Sequence, residues 1–168
     1  DSERIVQTAY RPFFLTWLYR SELFIDRPGA IDAMFPVGAS NRAICFSGAG
    51  ARASYMSLAV ERPADLHFGA SVDGYQQVSR YVFEESDRRA DNITDWGLDQ
   101  FKKHYTPGRE KAKRKVTKDA IFHYVYGVLH FPVFREKYAL NLKRGLDPIS
   151  WTPHPDGRRS PTCPPRSP

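Results

Sequence analysis

The chain has 168 residues, a formal net charge of +6, 41% hydrophobic residues and 14% aromatic residues. This composition suits one globular domain and excludes disorder throughout. No run approaches the roughly eighteen apolar residues of a transmembrane helix, and the first residues lack the basic-then-apolar order of a signal peptide. Two cysteines predict neither a disulfide framework nor a zinc site, so a cytoplasmic, reducing location is expected.

The charge is distributed unevenly along the chain. Residues 1–90 contain ten Arg and eleven acidic residues, whereas residues 91–168 contain fifteen basic and eight acidic residues. A basic half suits a polyanion such as DNA, but many basic proteins bind none. The charge therefore makes nucleic acid a candidate partner without identifying it.

Short β-prone runs in residues 1–90 predict a small mixed or antiparallel sheet. Residues 10–25 are aromatic, are interrupted by Pro12 and favour one or two strands. Residues 28–42 contain two Pro and two Gly, which predicts a connection with one helical turn. Further strands are predicted at residues 42–46, 55–60, 66–68 and 79–83.

Helical periodicity begins near residue 91 and predicts three helices. The first is capped by Asn92 or Thr94, the second begins at Thr117, and the third begins at Pro132. Because the last two helices meet at a single proline, they are expected to form a helical hairpin. Its apolar faces are predicted to include Leu129, Phe134, Tyr138 and Leu142.

The predicted fold is therefore an α+β domain over residues 1–150, β-rich up to residue 90 and helical afterwards. Residues 151–168 contain six Pro and no periodicity, which predicts a disordered tail. No internal repeat is apparent.

A glycine-rich stretch, GAGARA at residues 48–53, follows a predicted strand and fits the dinucleotide-binding pattern G-x-G-x-x-A. A dinucleotide site needs a helix directly after the glycines and an acidic residue about twenty positions later. Here residues 55–60 favour a strand instead. We therefore interpret the stretch as a strand-to-strand loop with Arg52 as a candidate phosphate contact. A nucleotide-binding enzyme fragment is kept as one alternative function.

Four sequence blocks follow one another between residues 9 and 149: AYRPFFLTWLYRSELFIDRPGAIDAMFP, NRAICFSGAGARASYMSLAVERPADLHF, RRADNITDWGLDQFKKHY and VTKDAIFHYVYGVLHFPVFREKYALNLKRGL. In this order they resemble the C-terminal specificity region of type ISP restriction–modification enzymes and their "predicted helicase" relatives. The resemblance covers most of the chain, and the order of several blocks makes it specific.

The resemblance implies a parent enzyme driven by ATP, with nuclease, helicase-type motor, adenine methyltransferase and target-recognition regions in one chain. The present chain is expected to be its last part. It has no Walker motif, nuclease carboxylate cluster or Asn-Pro-Pro-Tyr methyltransferase motif. The implied function is DNA target recognition, and a helical interdomain scaffold without DNA contact is the first alternative.

The resemblance also implies partners and cofactors. Double-stranded DNA and the methyltransferase region of the parent chain are the expected partners. S-adenosylmethionine, ATP and Mg²⁺ are expected for the parent enzyme, whereas no cofactor or metal is expected in this segment.

Two kinds of side chain are candidates for DNA contact. The Lys/Arg-rich loop between the first two helices suits phosphates, and a Gln- and Arg-bearing stretch near residue 77 suits base edges. Arg11 is a further candidate; alternatively it pairs with a carboxylate while Phe13 and Trp17 pack inward. The candidate DNA-binding residues are Arg11, Arg52, Tyr75, Gln76, Gln77, Arg80, Arg109, Lys111, Lys113, Arg114 and Lys115.

Overall fold

The computed structural model describes residues 2–21, 23–25, 29–84, 88–105 and 116–144. It confirms the α+β class, with antiparallel strands first and helices afterwards. The strands are β1 (Ile5–Arg11), β2 (Phe14–Tyr19), β3 (Ala43–Ser47), β4 (Ser57–Val60), β5 (Tyr75–Ser79), β6 (Tyr81–Phe83) and β7 (Arg89–Asp91). The helices are α1 (Ile31–Met34), α2 (Asp95–Tyr105), α3 (Lys118–His130), α4 (Pro132–Lys137) and α5 (Ala139–Arg144), and a 3-10 turn, Ser2–Arg4, precedes β1. Among the described residues, no helix has the length and apolar character needed to cross a membrane.

A three-stranded antiparallel sheet, in the order β4-β3-β5, forms the centre of the domain. All five side chains of β3 are buried. Burial raises the pKa of the Cys45 thiol in this strand to about 12, so the thiol stays protonated and behaves as a small apolar group. The sheet is thus covered on both faces at its central strand.

Two separate apolar clusters cover the two faces of β3, because alternate side chains of a strand point in opposite directions. Ala43 and Cys45 pack against the first cluster, whose large members are Phe35, Phe68 and Tyr75. Ile44 and Phe46 pack against the second cluster, which includes Tyr55, Phe122, Leu129 and Leu142. The second cluster joins the sheet to α3 and α5.

Strands β1 and β2 form a separate antiparallel hairpin whose tip is Pro12-Phe13. It is tied to the domain where the Ala9 N–H donates to the Pro63 carbonyl oxygen at 2.9 Å. The side chains of Phe13 and Trp17 are 95% and 67% exposed. The expectation that they pack inward is wrong, since the hairpin projects from the core and the described residues provide no cover for them.

Two strand predictions are corrected. Residues 66–68 form a turn rather than a strand: the Phe68 N–H donates to the Asp65 carbonyl oxygen at 3.1 Å, and the ring is 1% exposed. Residues 79–83 belong to two strands instead of one: β5 ends at Ser79, the backbone bends at Arg80, and β6 begins at Tyr81 and pairs with β7. The Tyr75 N–H holds the turn by donating to the Leu66 carbonyl oxygen at 2.8 Å, and pairing with β7 holds β6.

The helix starts agree with the sequence, and one helix is divided. The Thr94 and Thr117 hydroxyls accept the N–H groups of Gly97 and Ala120 at 3.1 and 3.0 Å, as expected for N-caps. The predicted third helix is split into α4 and α5 at Tyr138. Residues 145–168, including the predicted tail, lie outside the described residues.

Candidate nucleic-acid interface

The glycine-rich stretch connects two antiparallel strands, β3 and β4, which confirms its interpretation as a strand-to-strand loop. The Gly48 N–H donates to the Gly74 carbonyl oxygen at 2.8 Å, and a Cβ atom at Gly48 would also stand 2.8 Å from that oxygen. Gly50 has a φ of +75°, a conformation that favours glycine. The glycines therefore serve a close approach and a turn.

The carboxylate of Asp73 holds this loop from inside the domain. Its two oxygens accept the backbone N–H groups of Arg52 and Ala53, each at 2.8 Å, and the residue is buried. These hydrogen bonds lower the pKa of Asp73 below its usual value. The backbone amides that a nucleotide phosphate would need are thus already occupied by the protein's own anion.

Asp73 was not among the predicted site residues, although the sequence contains a signal for it. It lies twenty positions after Ala53, the spacing expected for the acidic residue of a dinucleotide site. In this fold the carboxylate binds the loop amides.

The backbone places four polar residues at one end of the central sheet, which we call the glycine-loop end: Arg52, Gln76, Lys143 and Arg144. The Gly50 N–H donates to the carbonyl oxygen of Lys143 at 2.9 Å, which fixes the end of α5 against the loop. Gln76 lies opposite Phe46, two residues before the loop begins. All four residues are exposed. Of the predicted site residues, the structure brings Arg52 and Gln76 to this end.

Lys143 and Arg144 were not predicted as site residues. Cations at a helix C-terminus are expected from the helix dipole alone. Only the long-range hydrogen bond between Gly50 and Lys143 places them beside Arg52. No local sequence pattern carries that information.

Arg11 and Tyr75 are engaged inside the domain. The Arg11 guanidinium donates to the His67 carbonyl oxygen at 2.7 Å and lies 3.6 Å from an oxygen of Asp65. The Tyr75 ring is buried and meets Phe68 edge-on, with 6.2 Å between ring centroids. Arg11 thus makes the carboxylate contact that its alternative interpretation required, while Tyr75 contributes to the core.

The Gln77 amide is also committed to the fold. Its Oε1 accepts the Ala64 N–H and its Nε2 donates to the Ala64 carbonyl oxygen, both at 3.1 Å. A glutamine reads adenine with the same two atoms. In this conformation neighbouring Gln76, and not Gln77, presents its amide to solvent.

Arg80 is buried in an ion-pair network that joins the sheet to the helices. Its Nη1 lies 2.6 Å from Asp91, and Lys118 lies 3.3 Å from Asp91 and 2.7 Å from Asp95. The hydrogen bond from Arg80, followed by that from Lys118, lowers the pKa of Asp91. The network fixes the first turns of α2 and α3 against the sheet.

The five loop cations, Arg109, Lys111, Lys113, Arg114 and Lys115, lie outside the described residues. The flanking helices are described. The hydroxyl oxygens of Tyr105 in α2 and Tyr124 in α3 are 2.7 Å apart. This contact joins the end of α2 to the middle of α3.

Comparison with solved structures finds similar chains in large DNA-bound proteins. A DrdV–DNA complex solved by cryo-electron microscopy contains a region that matches 86% of this chain with 34% identity and a TM-score of 0.76. A nuclease-deletion mutant of the Type ISP restriction-modification enzyme LlaGI, in complex with a DNA substrate mimic, matches 87% with 28% identity and a TM-score of 0.65. The chain spans 14% and 12% of those two proteins.

A third solved structure supports the fold alone. The ATP-dependent Type ISP restriction-modification enzyme LlaBIII bound to DNA matches 86% of this chain with 21% identity and a TM-score of 0.72, and the match spans 9% of LlaBIII. No curated protein matches. Residues 1–157 match the family described as the Type ISP C-terminal specificity domain, and the chain therefore belongs to this family.

Proposed function

We propose that this domain recognises a DNA target sequence on behalf of a larger ATP-dependent restriction–modification enzyme. The observation that carries the proposal is its membership of the specificity family, together with 34% identity to a region of a DNA-bound protein over 86% of the chain. Adenine methyltransferase, helicase and nuclease regions would lie elsewhere in the parent chain. ATP, Mg²⁺ and S-adenosylmethionine would bind those regions.

Phosphate contacts are proposed for two sets of cations. Arg52, Lys143 and Arg144 lie at the glycine-loop end and are exposed. No ion pair among the described residues includes them, although the Asp73 carboxylate that accepts the Arg52 N–H also attracts the Arg52 charge. The five cations of the α2–α3 loop form the second set. Cations that neutralise phosphates release counterions, so they supply affinity that depends on salt and not on sequence.

Base recognition is proposed for Gln76. Its exposed amide has one donor and one acceptor group, which matches the N6 and N7 edge of adenine in the major groove. It stands at the same end of the sheet as Arg52, so we propose that one duplex contacts both residues. Arg11, Tyr75, Gln77 and Arg80 would act indirectly, by holding the strands and turns that present these residues.

The phosphate proposal is tested in the parent enzyme by changing the five loop cations to Gln, and separately by Arg52→Gln. We expect weaker binding to specific and random duplexes alike. The slope of log affinity against log salt should flatten by up to about 0.9 for each phosphate that the variant no longer neutralises. Arg42→Gln is the matched control, because Arg42 pairs with Glu61 at 3.3 Å and lies next to the other end of β3.

The base proposal is tested with Gln76→Ala and Gln77→Ala on a cognate duplex, mapped beforehand from the adenines methylated by the enzyme. Gln76→Ala should weaken cognate binding by about 1–3 kcal/mol and leave random DNA unaffected. Gln77→Ala should lower the melting temperature, because it leaves the Ala64 backbone groups without their partners. A loss of cognate binding in Gln77→Ala, with a lower melting temperature in Gln76→Ala, would contradict the proposal.

The scaffold alternative makes a different prediction from the same measurements. If the domain only connects regions of the parent enzyme, none of the substitutions of Arg or Lys by Gln will change the slope of log affinity against log salt. The nucleotide-binding alternative predicts a thermal shift with NAD, ATP or S-adenosylmethionine that is lost in Gly50→Val. Occupation of the loop amides by Asp73 argues against that shift.

A further inference from the structure

The β1–β2 hairpin exposes an aromatic face that DNA recognition does not explain. Leu15, Trp17 and Tyr19 alternate along β2 and therefore share one face, and Ile5 pairs directly with Tyr19. The Phe24 ring stands 6.0 Å from that of Tyr19. We call these five exposed residues the hairpin face. Contiguous apolar patches of this kind mark interaction sites.

The hairpin face continues toward the tip of the hairpin. Phe13 and Leu15 line an open groove whose other apolar members are Ala9, Leu58, Ala59, Val60 and Phe68, and whose charged members are Glu61 and Arg62. Phe13 has a φ of +63°, a conformation that is strained for a bulky side chain, and strained positions of this kind cluster at functional sites. An exposed aromatic ring held in a strained turn is suited to a contact outside this domain.

The charges around the face indicate what kind of partner covers it. The Arg20 guanidinium donates to the Phe35 carbonyl oxygen at 2.7 Å and pairs with Asp32. Arg11 is engaged with His67 and Asp65. The cations on the two hairpin strands are therefore committed within the domain, and the Arg62 that lines the groove at the tip stands beside the acidic Glu61. A nucleic acid would need available cations beside the aromatic rings, whereas a protein surface would not.

We propose that the hairpin face docks against another region of the same parent polypeptide. The chain spans only 14%, 12% and 9% of the three structures it resembles, so most of such a polypeptide lies outside it. Tethering in one chain gives the contact a high effective concentration. A two-stranded hairpin is marginally stable by itself, so the cover would also stabilise the hairpin. The inference needs a larger parent chain but does not need DNA binding.

The experiment is hydroxyl-radical footprinting of the full-length, DNA-free parent enzyme, read by mass spectrometry. Rates of oxidation at Trp17 and Tyr19 are compared with those in the urea-unfolded enzyme. We expect both side chains to lose most of their oxidation on folding, at every enzyme concentration used. Oxidation at the unfolded rate would show an open face and overturn the proposal. Protection only after DNA is added, or only at high enzyme concentration, would assign the face to DNA or to a second copy and overturn it equally.

A variant pair separates docking from general folding. Trp17→Lys places a charge in the middle of the face and should restore oxidation of Tyr19 in the parent enzyme. The control is Trp96→Lys, at a 48% exposed tryptophan on α2, which should leave Tyr19 protected. Equal Tyr19 oxidation in the two variants would contradict the docking. Because DNA binding is measured separately by the salt slope, failure of this inference leaves the target-recognition proposal standing.

Discussion

Strands β3 and β2 have similar apolar sequences, AICFS and FLTWLY, and opposite environments. Strand β3 lies in the middle of the sheet, with a different apolar cluster on each face. Strand β2 belongs to a two-stranded hairpin, and four of its six side chains are exposed. An apolar strand therefore indicates that a cover is needed, but its sequence does not say whether the cover is in the same domain.

The largest expected effect separates these two regions directly. Phe68→Ala, which removes a ring that is 1% exposed in the core beneath β3, should cost about 3–5 kcal/mol of unfolding free energy. Trp17→Ala should change that free energy by no more than about 0.5 kcal/mol in the 168-residue chain. Urea denaturation measures both. A cost of several kcal/mol for Trp17→Ala would mean that the chain itself covers the hairpin face.

The second prediction makes the same comparison within the helices. Leu129→Ala should cost about 2–5 kcal/mol, because Leu129 is buried against the second face of β3. Tyr138→Ala, expected from the sequence to be equally costly, should cost less, since Tyr138 is 37% exposed where α4 and α5 meet. The difference in unfolding free energy is measured from the midpoints of guanidinium or urea denaturation, provided that the two variants have equal m-values. Equal costs would mean that Tyr138 is more deeply packed than the structure indicates.

The parts of the fold that were predictable depend on neighbouring residues. The cap at Thr117 acts on an N–H three residues away, so the start of α3 is written in the local sequence. The turn at residues 66–68 is different. Its backbone is held by Tyr75, whose N–H donates to the Leu66 carbonyl oxygen at 2.8 Å, and a short apolar run contains no trace of that partner.

The candidate site divides in the same way. The composition and the G-x-G-x-x-A pattern indicated the loop and Arg52 as candidates. The dinucleotide pattern calls for an acidic residue at the position of Asp73, but it does not predict that the carboxylate binds the loop amides. It also does not predict that Lys143 stands beside the loop, because both contacts join distant parts of the chain. The sequence alone does not distinguish Gln76 from Gln77. Strand alternation and the backbone of Ala64 separate them.

The third prediction concerns the glycine loop. Unlike the exposed hairpin face, this loop is held by a buried side chain, Asp73. Asp73→Asn replaces one carboxylate oxygen by an NH₂ group that faces a backbone N–H, and should lower the melting temperature by several degrees. The folded pKa of Asp73 lies below its ordinary value of 3.8, so its stabilisation is present above that value and is lost as the pH falls through the folded pKa. The melting difference between the variants should therefore shrink on acidification below about pH 4. A difference independent of pH would contradict the role of the carboxylate.

The smallest expected effect compares two turn residues with positive φ, Phe13 in the hairpin at +63° and Gly50 in the glycine loop at +75°. Phe13→Gly should stabilise the 168-residue chain by about 1 kcal/mol or less, because relief of backbone strain outweighs the added entropy of the unfolded chain. Gly50→Ala should cost about 1 kcal/mol for the reverse reason, since a Cβ atom at Gly50 meets nothing within 4 Å. Urea denaturation of the three proteins measures both signs. A loss of stability in Phe13→Gly would mean that the ring is already packed within the chain. Higher stability of the 168-residue chain, together with increased oxidation of Trp17 in the parent enzyme, would mean that Phe13 acts in docking.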